Sequence, residues 1–188
     1  IDENIGRLLA YLDQTGQSKN TVVIYTSDQG YFLGEHNLFD KRFFLEESLR
    51  MPFVIRYPAE INPGTTVKDI VLNIDFAELL LDYAEAKIPE TMQGRSFRPN
   101  LRGKTSKDWR VAMYYRYWTN SPERPSHYGV RTHTHKLIYY HGLEGNGKKP
   151  GDFWELYDLK ADPHEHVNVY GKAENADIIN ELKRTLER

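Results

Sequence analysis

Apolar positions follow two different periods along this chain, and the change of period divides it. Within residues 1–15, Ile5, Leu8, Leu9 and Leu12 stand at i, i+3, i+4 and i+7, the single apolar stripe of an amphipathic helix. Gly16 follows as its C-cap. Thr21-Val-Val-Ile-Tyr-Thr26 is an unbroken β-branched and aromatic run, which predicts a strand buried on both faces, as in a parallel sheet. A polar, glycine-punctuated stretch then leads to a short helix predicted over 43–50. Phe53-Val-Ile-Arg-Tyr57, bracketed by Pro52 and Pro58, reads as a second strand. Asp75 is placed to N-cap a helix running to residue 85, with Phe76, Leu79, Leu80 and Tyr83 on its inner face. Helix, strand, helix, strand, helix predicts a doubly wound α/β layer.

Residues 88–109 are rich in Pro, Gly, Arg and Ser and read as a linker or surface crossing. Beyond them the helical period gives way to four strand-like runs, 111–118, 128–132, 136–141 and 154–159, with no helix between them. A Gly- and Lys-rich loop covers 144–151. A closing amphipathic helix is predicted over 173–188, with Ile178, Ile179, Leu182 and Leu186 inward. The expected organisation is an α/β layer over 1–109, a parallel-sheet remnant, joined to an antiparallel α+β subdomain over 110–188.

Composition narrows the functional classes. Aromatic residues make up 13% of the chain, which is the composition of a folding protein, not a disordered one. A net charge of −2 supplies no basic excess for nucleic acid. The chain has no cysteine, which excludes disulfides, zinc–thiolate sites and a thiol nucleophile within it. No apolar run approaches the roughly 20 residues of a membrane span. The sequence opens at Ile1 inside a predicted helix, so it is expected to be part of a longer protein. A central strand at 21–26 cut from its neighbours would expose apolar surface, and self-association through that sheet surface is expected.

Candidate chemistry concentrates just after the first strand. Asp28 and Gln29 offer a carboxylate and an amide carbonyl, oxygen ligands of the kind hard cations take. Gly30 would let the backbone turn sharply. Lys41, thirteen residues after Asp28, could return a point positive charge for anion recognition, with His36 and Arg42 as further donors. On composition alone an ordinary turn and a solvated Lys-Arg pair explain the same residues. His133, His135, His164 and His166 read as surface positions.

The run Asn20-Thr-Val-Val-Ile-Tyr-Thr-Ser-Asp-Gln-Gly-Tyr-Phe-Leu-Gly-Glu-His36, followed by Phe39-Asp-Lys-Arg42 and Arg50-Met-Pro-Phe-Val-Ile-Arg-Tyr-Pro58, closely resembles the sulfatases of the alkaline-phosphatase-like superfamily. Trp154-Glu-Leu-Tyr-Asp-Leu-Lys-Ala-Asp-Pro163 and Asn168 are similar to the tail of that family. The resemblance implies the C-terminal part of a sulfuric ester hydrolase. It implies Asp28 and Gln29 as the later pair of Ca²⁺ ligands and Lys41 as the lysine on the sulfate. The family nucleophile is a formylglycine made from Cys or Ser in a Cys/Ser-X-Pro/Ala-X-Arg motif. Ser121-Pro-Glu-Arg124 does not fit that motif, so the nucleophile is expected in sequence upstream of Ile1, and the chain alone is expected to be inactive. Phe39-Asp-Lys-Arg-Phe43, Met113-Tyr-Tyr-Arg-Tyr-Trp118 and His127-Tyr-Gly-Val-Arg-Thr132 look most like bacterial N-acetylglucosamine-6-sulfatases. That likeness implies sugar contacts from Asp40, Arg42 and His127, a sulfated carbohydrate partner and a periplasmic or secreted parent. His127 and Arg131 could instead serve only to tie sheets together. A phosphatase or phosphonate monoester hydrolase relative, and a non-catalytic carbohydrate-binding fragment, are the alternatives.

Overall fold

The computed structural model describes residues 1–121, 123–141 and 153–187; the loop expected over 144–151 lies outside them. The chain divides into two compact units, 1–28 with 52–109, and 29–51 with 110–188. Composition places a single cut near residue 109. In the structure the second unit also takes 29–51, the stretch that carries most of the candidate chemistry.

In the first unit, helix α1 (Asp2–Gln14) ends where Gly16, at φ +73°, enters the left-handed region. Gln17 N–H donates to the Leu12 carbonyl and Gly16 N–H to the Asp13 carbonyl, the paired bonds that close a helix C-terminus. Of the predicted stripe only Leu12 is buried, and Leu8 is 52% exposed. Strand β1 (Val23–Thr26) pairs with β2 (Phe53–Arg56) in antiparallel register, Ile24 opposite Ile55. The expected parallel pairing is therefore corrected: among the described residues both sheets are antiparallel. An apolar run reports burial but carries no strand direction. Nor is β1 covered on both faces, since Tyr25 is 46% and Val54 63% exposed. That is the exposed apolar surface anticipated for a strand without its neighbours.

Helix α2 (Glu46–Leu49) belongs to the second unit, and α3 (Phe76–Tyr83) to the first. Asp75 stands at the N-cap position of α3 but makes no side-chain cap to that helix; its fully buried carboxylate instead accepts from the backbone N–H of Leu72 at 2.8 Å and of Arg95 at 2.9 Å. The inner face differs by one position from the expectation: Leu80 is 54% exposed while Glu78 is buried. The stretch read as a linker supplies the core. Phe97, Leu101 and Trp109 pack with Leu79 against Ile24, Phe53 and Ile55. The Trp109 indole donates to the Ile70 carbonyl at 3.0 Å. Arg98 anchors the same region, pairing with Glu60 and with Asp82 at 3.0 Å while lying over the Tyr83 ring.

The second unit is built on a four-stranded antiparallel meander of β3 (Ala112–Tyr117), β4 (Ser126–Thr132), β5 (His135–His141) and β6 (Phe153–Asp158). Strict side-chain alternation gives it two apolar faces. One carries Val130, Leu137 and Leu156 and is covered by Ile179 and Leu182 of helix α4 (Ala176–Leu186), with Ile178 and Leu186 at its margin, as the period predicts. The other carries Ile138, Tyr140 and Tyr157 and receives Phe32, Phe44 and Leu45 from the 29–51 segment. No helix among the described residues is long and apolar enough to cross a membrane.

Candidate functional site

Segment 29–51 is held on the sheet by aromatic anchors and by ions. Phe32 and Phe44 are fully buried, and Phe44 stacks on Tyr115 with ring centroids 4.9 Å apart. Between the anchors the chain leaves and returns as a closed loop. Gly34 N–H donates to the Leu38 carbonyl, and Phe32 N–H to the Asp40 carbonyl at 2.8 Å. The turn at its tip puts His36 and Asn37 in the left-handed region, at φ +53° and +58°. This return brings Lys41 back to Gln29. The Gln29 side-chain amide donates to the Lys41 carbonyl, and Ser48 Oγ donates to the same oxygen at 2.7 Å. Both lone pairs of that carbonyl are thereby used, which fixes the backbone of an exposed lysine.

Gly30 matters through close approach, not through a special dihedral angle. Its N–H donates to the Ser48 carbonyl at 2.9 Å, and a Cβ built on it would overlap the Glu47 carbonyl oxygen. Gly30→Ala must push backbone against backbone. It is expected to cost about 1–3 kcal/mol in chemical or thermal unfolding.

Asp40 is the most heavily engaged member of the loop. It is 8% exposed. Its Oδ1 accepts from Lys41 N–H at 2.6 Å and Arg42 Nε at 2.7 Å, and its Oδ2 from Arg124 Nη1 at 2.8 Å. Burial works against its ionisation, but Arg42, the Lys41 N–H and Arg124 outweigh it and hold the carboxyl at about 2. His127 lies beneath this cluster. It is fully buried, its Nδ1 on the Pro125 carbonyl at 2.8 Å, its ring stacked on Phe43, Tyr115 and Tyr117. Burial depresses its pKa and favours the neutral ring. No surface of His127 is open in this structure, and the sugar contact that the resemblance implies for it would need such surface.

Asp28 lies at the end of the first unit, in a shallow depression lined by Thr26, Ser27, Asn73, Ile74 and Phe76. Ser27 Oγ donates to its Oδ1 at 3.2 Å. Among the described residues no three His, Cys, Asp or Glu side chains converge as a metal site. His36 does not join the loop's cations on an anion; it faces Glu47 at 3.4 Å and stacks near Phe32 and His166. His133, His164 and His166 are exposed, as expected.

Two groups of residues were not visible in the sequence. Arg124 reaches Asp40 across 84 residues. Lys136, with no exposed surface, lies 2.9 Å from Glu46 and 2.6 Å from Glu165, and Arg131 adds a second cation to Glu46 at 3.1 Å. Glu165 also accepts from the Glu46 N–H at 2.7 Å, so the tail of the chain ties down the start of α2.

Comparison with known proteins identifies the family of the chain. The profile of the family described as "N-sulphoglucosamine sulphohydrolase, C-terminal" matches residues 34–188. An N-acetylglucosamine-6-O-sulfatase of Bacteroides thetaiotaomicron is 49% identical over 191 residues, covering 100% of this chain and 33% of that protein. A structure solved with its substrate, D-glucosamine-2-N,6-O-disulfate, superposes with a TM-score of 0.89 at 48% identity, over 99% of this chain and 37% of that one. A phosphonate monoester hydrolase from Silicibacter pomeroyi superposes with a TM-score of 0.83 at 27% identity, over 100% of this chain and 38% of that one. The chain spans about a third of the length of the curated relatives it matches.

Proposed function

Because the chain belongs to the N-sulphoglucosamine sulphohydrolase C-terminal family, we propose that it is the part of a sulfuric ester hydrolase that recognises the sulfated sugar and helps neutralise the charge on the sulfate being transferred. The substrate class is a 6-O-sulfated N-acetylglucosamine. The observation that carries the reading is the single loop that presents Lys41 between Asp40 and Arg42, with its backbone fixed on three sides. Lys41 faces the sulfate, where an ammonium stabilises charge developing on the oxygens. Asp40 and Arg42 read hydroxyls on the ring that bears it. Asp28 and Gln29 contribute oxygens to a Ca²⁺ ion, which when bound adds a second positive charge against the sulfate. The formylglycine nucleophile belongs to sequence outside these 188 residues, since they contain no Cys/Ser-X-Pro/Ala-X-Arg stretch. The uncovered side of the β1–β2 pair, at Tyr25 and Val54, is where the isolated chain self-associates.

The test is substrate-selective. In the full-length protein that carries this chain, Asp40→Ala should lower kcat/KM on N-acetylglucosamine-6-sulfate by about 10- to 150-fold, the equivalent of about 1.5–3 kcal/mol for a charged hydrogen bond. A flat aryl sulfate such as 4-nitrocatechol sulfate has no hydroxyls to lose and should suffer much less. Equal losses on both substrates would remove the sugar assignment. The likeness to a phosphonate monoester hydrolase supports a second reading. Turnover of a phosphonate monoester in preference to any sulfate ester would select it.

A further inference from the structure

Asp40 cannot hold its own orientation. An ionised carboxylate has about four acceptor positions, and three are filled here. The two donors on Oδ1, Lys41 N–H and Arg42, come from the same loop and move with it. The third donor is of another kind. Arg124 sits between β3 and β4, where Ser121 and Arg124 exchange backbone hydrogen bonds at 3.0 and 3.1 Å and Ser121 Oγ also accepts from the Arg124 N–H. Arg124 is therefore held in a closed turn between β3 and β4, not in the loop that carries Asp40. It is also less exposed than Arg42, 28% against 46%.

We infer that Arg124 is a positioning residue for substrate choice: by holding Asp40 Oδ2 from the turn between β3 and β4 it leaves one acceptor position of that carboxylate aimed at a sugar hydroxyl. This rests on the reading of Asp40 given above. Without Arg124 the carboxylate is anchored through Oδ1 alone and can pivot, and water takes the vacated position. Arg124 does not itself touch the sulfate, so its loss weakens the discrimination between sulfate esters more than their hydrolysis.

The experiment is a mutant cycle in the full-length protein, comparing R124A, R124K, D40A and the D40A/R124A double variant on N-acetylglucosamine-6-sulfate and 4-nitrocatechol sulfate. R124A should lose about tenfold more kcat/KM on the sugar sulfate than on the aryl sulfate, mainly through KM. R124K keeps the charge but not the planar fork, and should recover part of that loss. In the D40A background, removing Arg124 should cost less than about threefold further, because the two act through one contact. Additive losses in the double variant would overturn the inference. So would an R124A loss equal on both substrates while D40A still separates them. If D40A itself fails to separate the substrates, it is the reading of Asp40 that falls. Should R124A not fold, R124K carries the same comparison. Its loss on the sugar sulfate must then exceed that on the aryl sulfate by about threefold or more, and equal losses overturn the inference.

Discussion

Lys136→Met is expected to destabilise the chain by about 3–5 kcal/mol at pH 7, the usual cost of removing one partner from a buried ion cluster. For a chain of this size that lowers the melting temperature by roughly 6–20 °C. Lys136 has no exposed surface and lies between Glu46 and Glu165, over the Phe44 ring. The methionine fills similar volume, so the loss is electrostatic. The two carboxylates respond differently. Burial opposes the ionisation of Glu46, but Lys136 and Arg131 outweigh it and hold its carboxyl below the usual range. For Glu165 burial wins over Lys136, and its carboxyl is pushed up. A lowered carboxylate adds stability at neutral pH that is lost as pH falls through its folded value. A raised one has the opposite sign, its charged form costing stability as pH rises through its folded value. Lys136→Met leaves Glu46 its partner Arg131 at 3.1 Å but removes the cation at Glu165. Glu165 is then raised further, and protonation relieves it. The gap between variant and parent melting temperatures should accordingly narrow from about pH 7 to about pH 5. Melts at the two values check this, and adding Glu165→Gln to the variant should recover part of the loss at pH 7. A gap that stays constant with pH would mean that packing, not charge, dominates.

Because Glu165 accepts from the first N–H of α2, the same cluster fixes the segment on which Lys41 stands. None of this could be read from the sequence. Lys136 begins an alternating strand and looks like a solvated cation, and its partners lie 90 residues before it and 29 after it. The legible features are local ones. The stripe of α4 and the four strands of the meander follow from periodicity, because each buries one face against one neighbour. Direction and distance are not periodic. The 21–26 run announces a strand but not that β2 lies antiparallel to it. Residues 88–109 have the composition of a linker, yet Phe97, Leu101 and Trp109 form a core because α3 offers Leu79 to pack against. Three of the four apolar inner positions expected for α3 hold and one does not. Glu78 takes the inner place and Leu80 the outer, an exchange that helical spacing leaves undecided. The site divides the same way. Asp28, Gln29, Asp40, Lys41 and Arg42 fall within one stretch of sequence. Arg124, 84 residues from Asp40, belongs to no local pattern.

Lys41→Ala should have the largest effect on activity, a fall in kcat of about 10²–10³ in the full-length protein, the magnitude seen when one preorganised donor to a developing oxyanion is removed. The argument begins with the backbone. Gln29 and Ser48 both donate to the Lys41 carbonyl, and the Lys41 N–H donates to Asp40. The main chain on either side of this lysine is therefore set before substrate arrives, while its side chain remains exposed. Such preorganisation is what makes a charge effective in the transition state, since no reorganisation is needed as the S–O bond breaks. Charge develops on the sulfate oxygens whatever alcohol leaves. The loss should thus be similar on N-acetylglucosamine-6-sulfate and on 4-nitrocatechol sulfate, and should appear in kcat. This is the reverse of the pattern expected for Asp40 and Arg124, whose variants separate the two substrates. Lys41→Arg should rescue poorly, because a planar fork does not place a point charge where the ammonium stood. Steady-state kinetics on both substrates decide the matter. A Lys41→Ala loss confined to the sugar substrate would move Lys41 from the sulfate to the ring, and a loss below about tenfold would leave the charge on the sulfate to other groups.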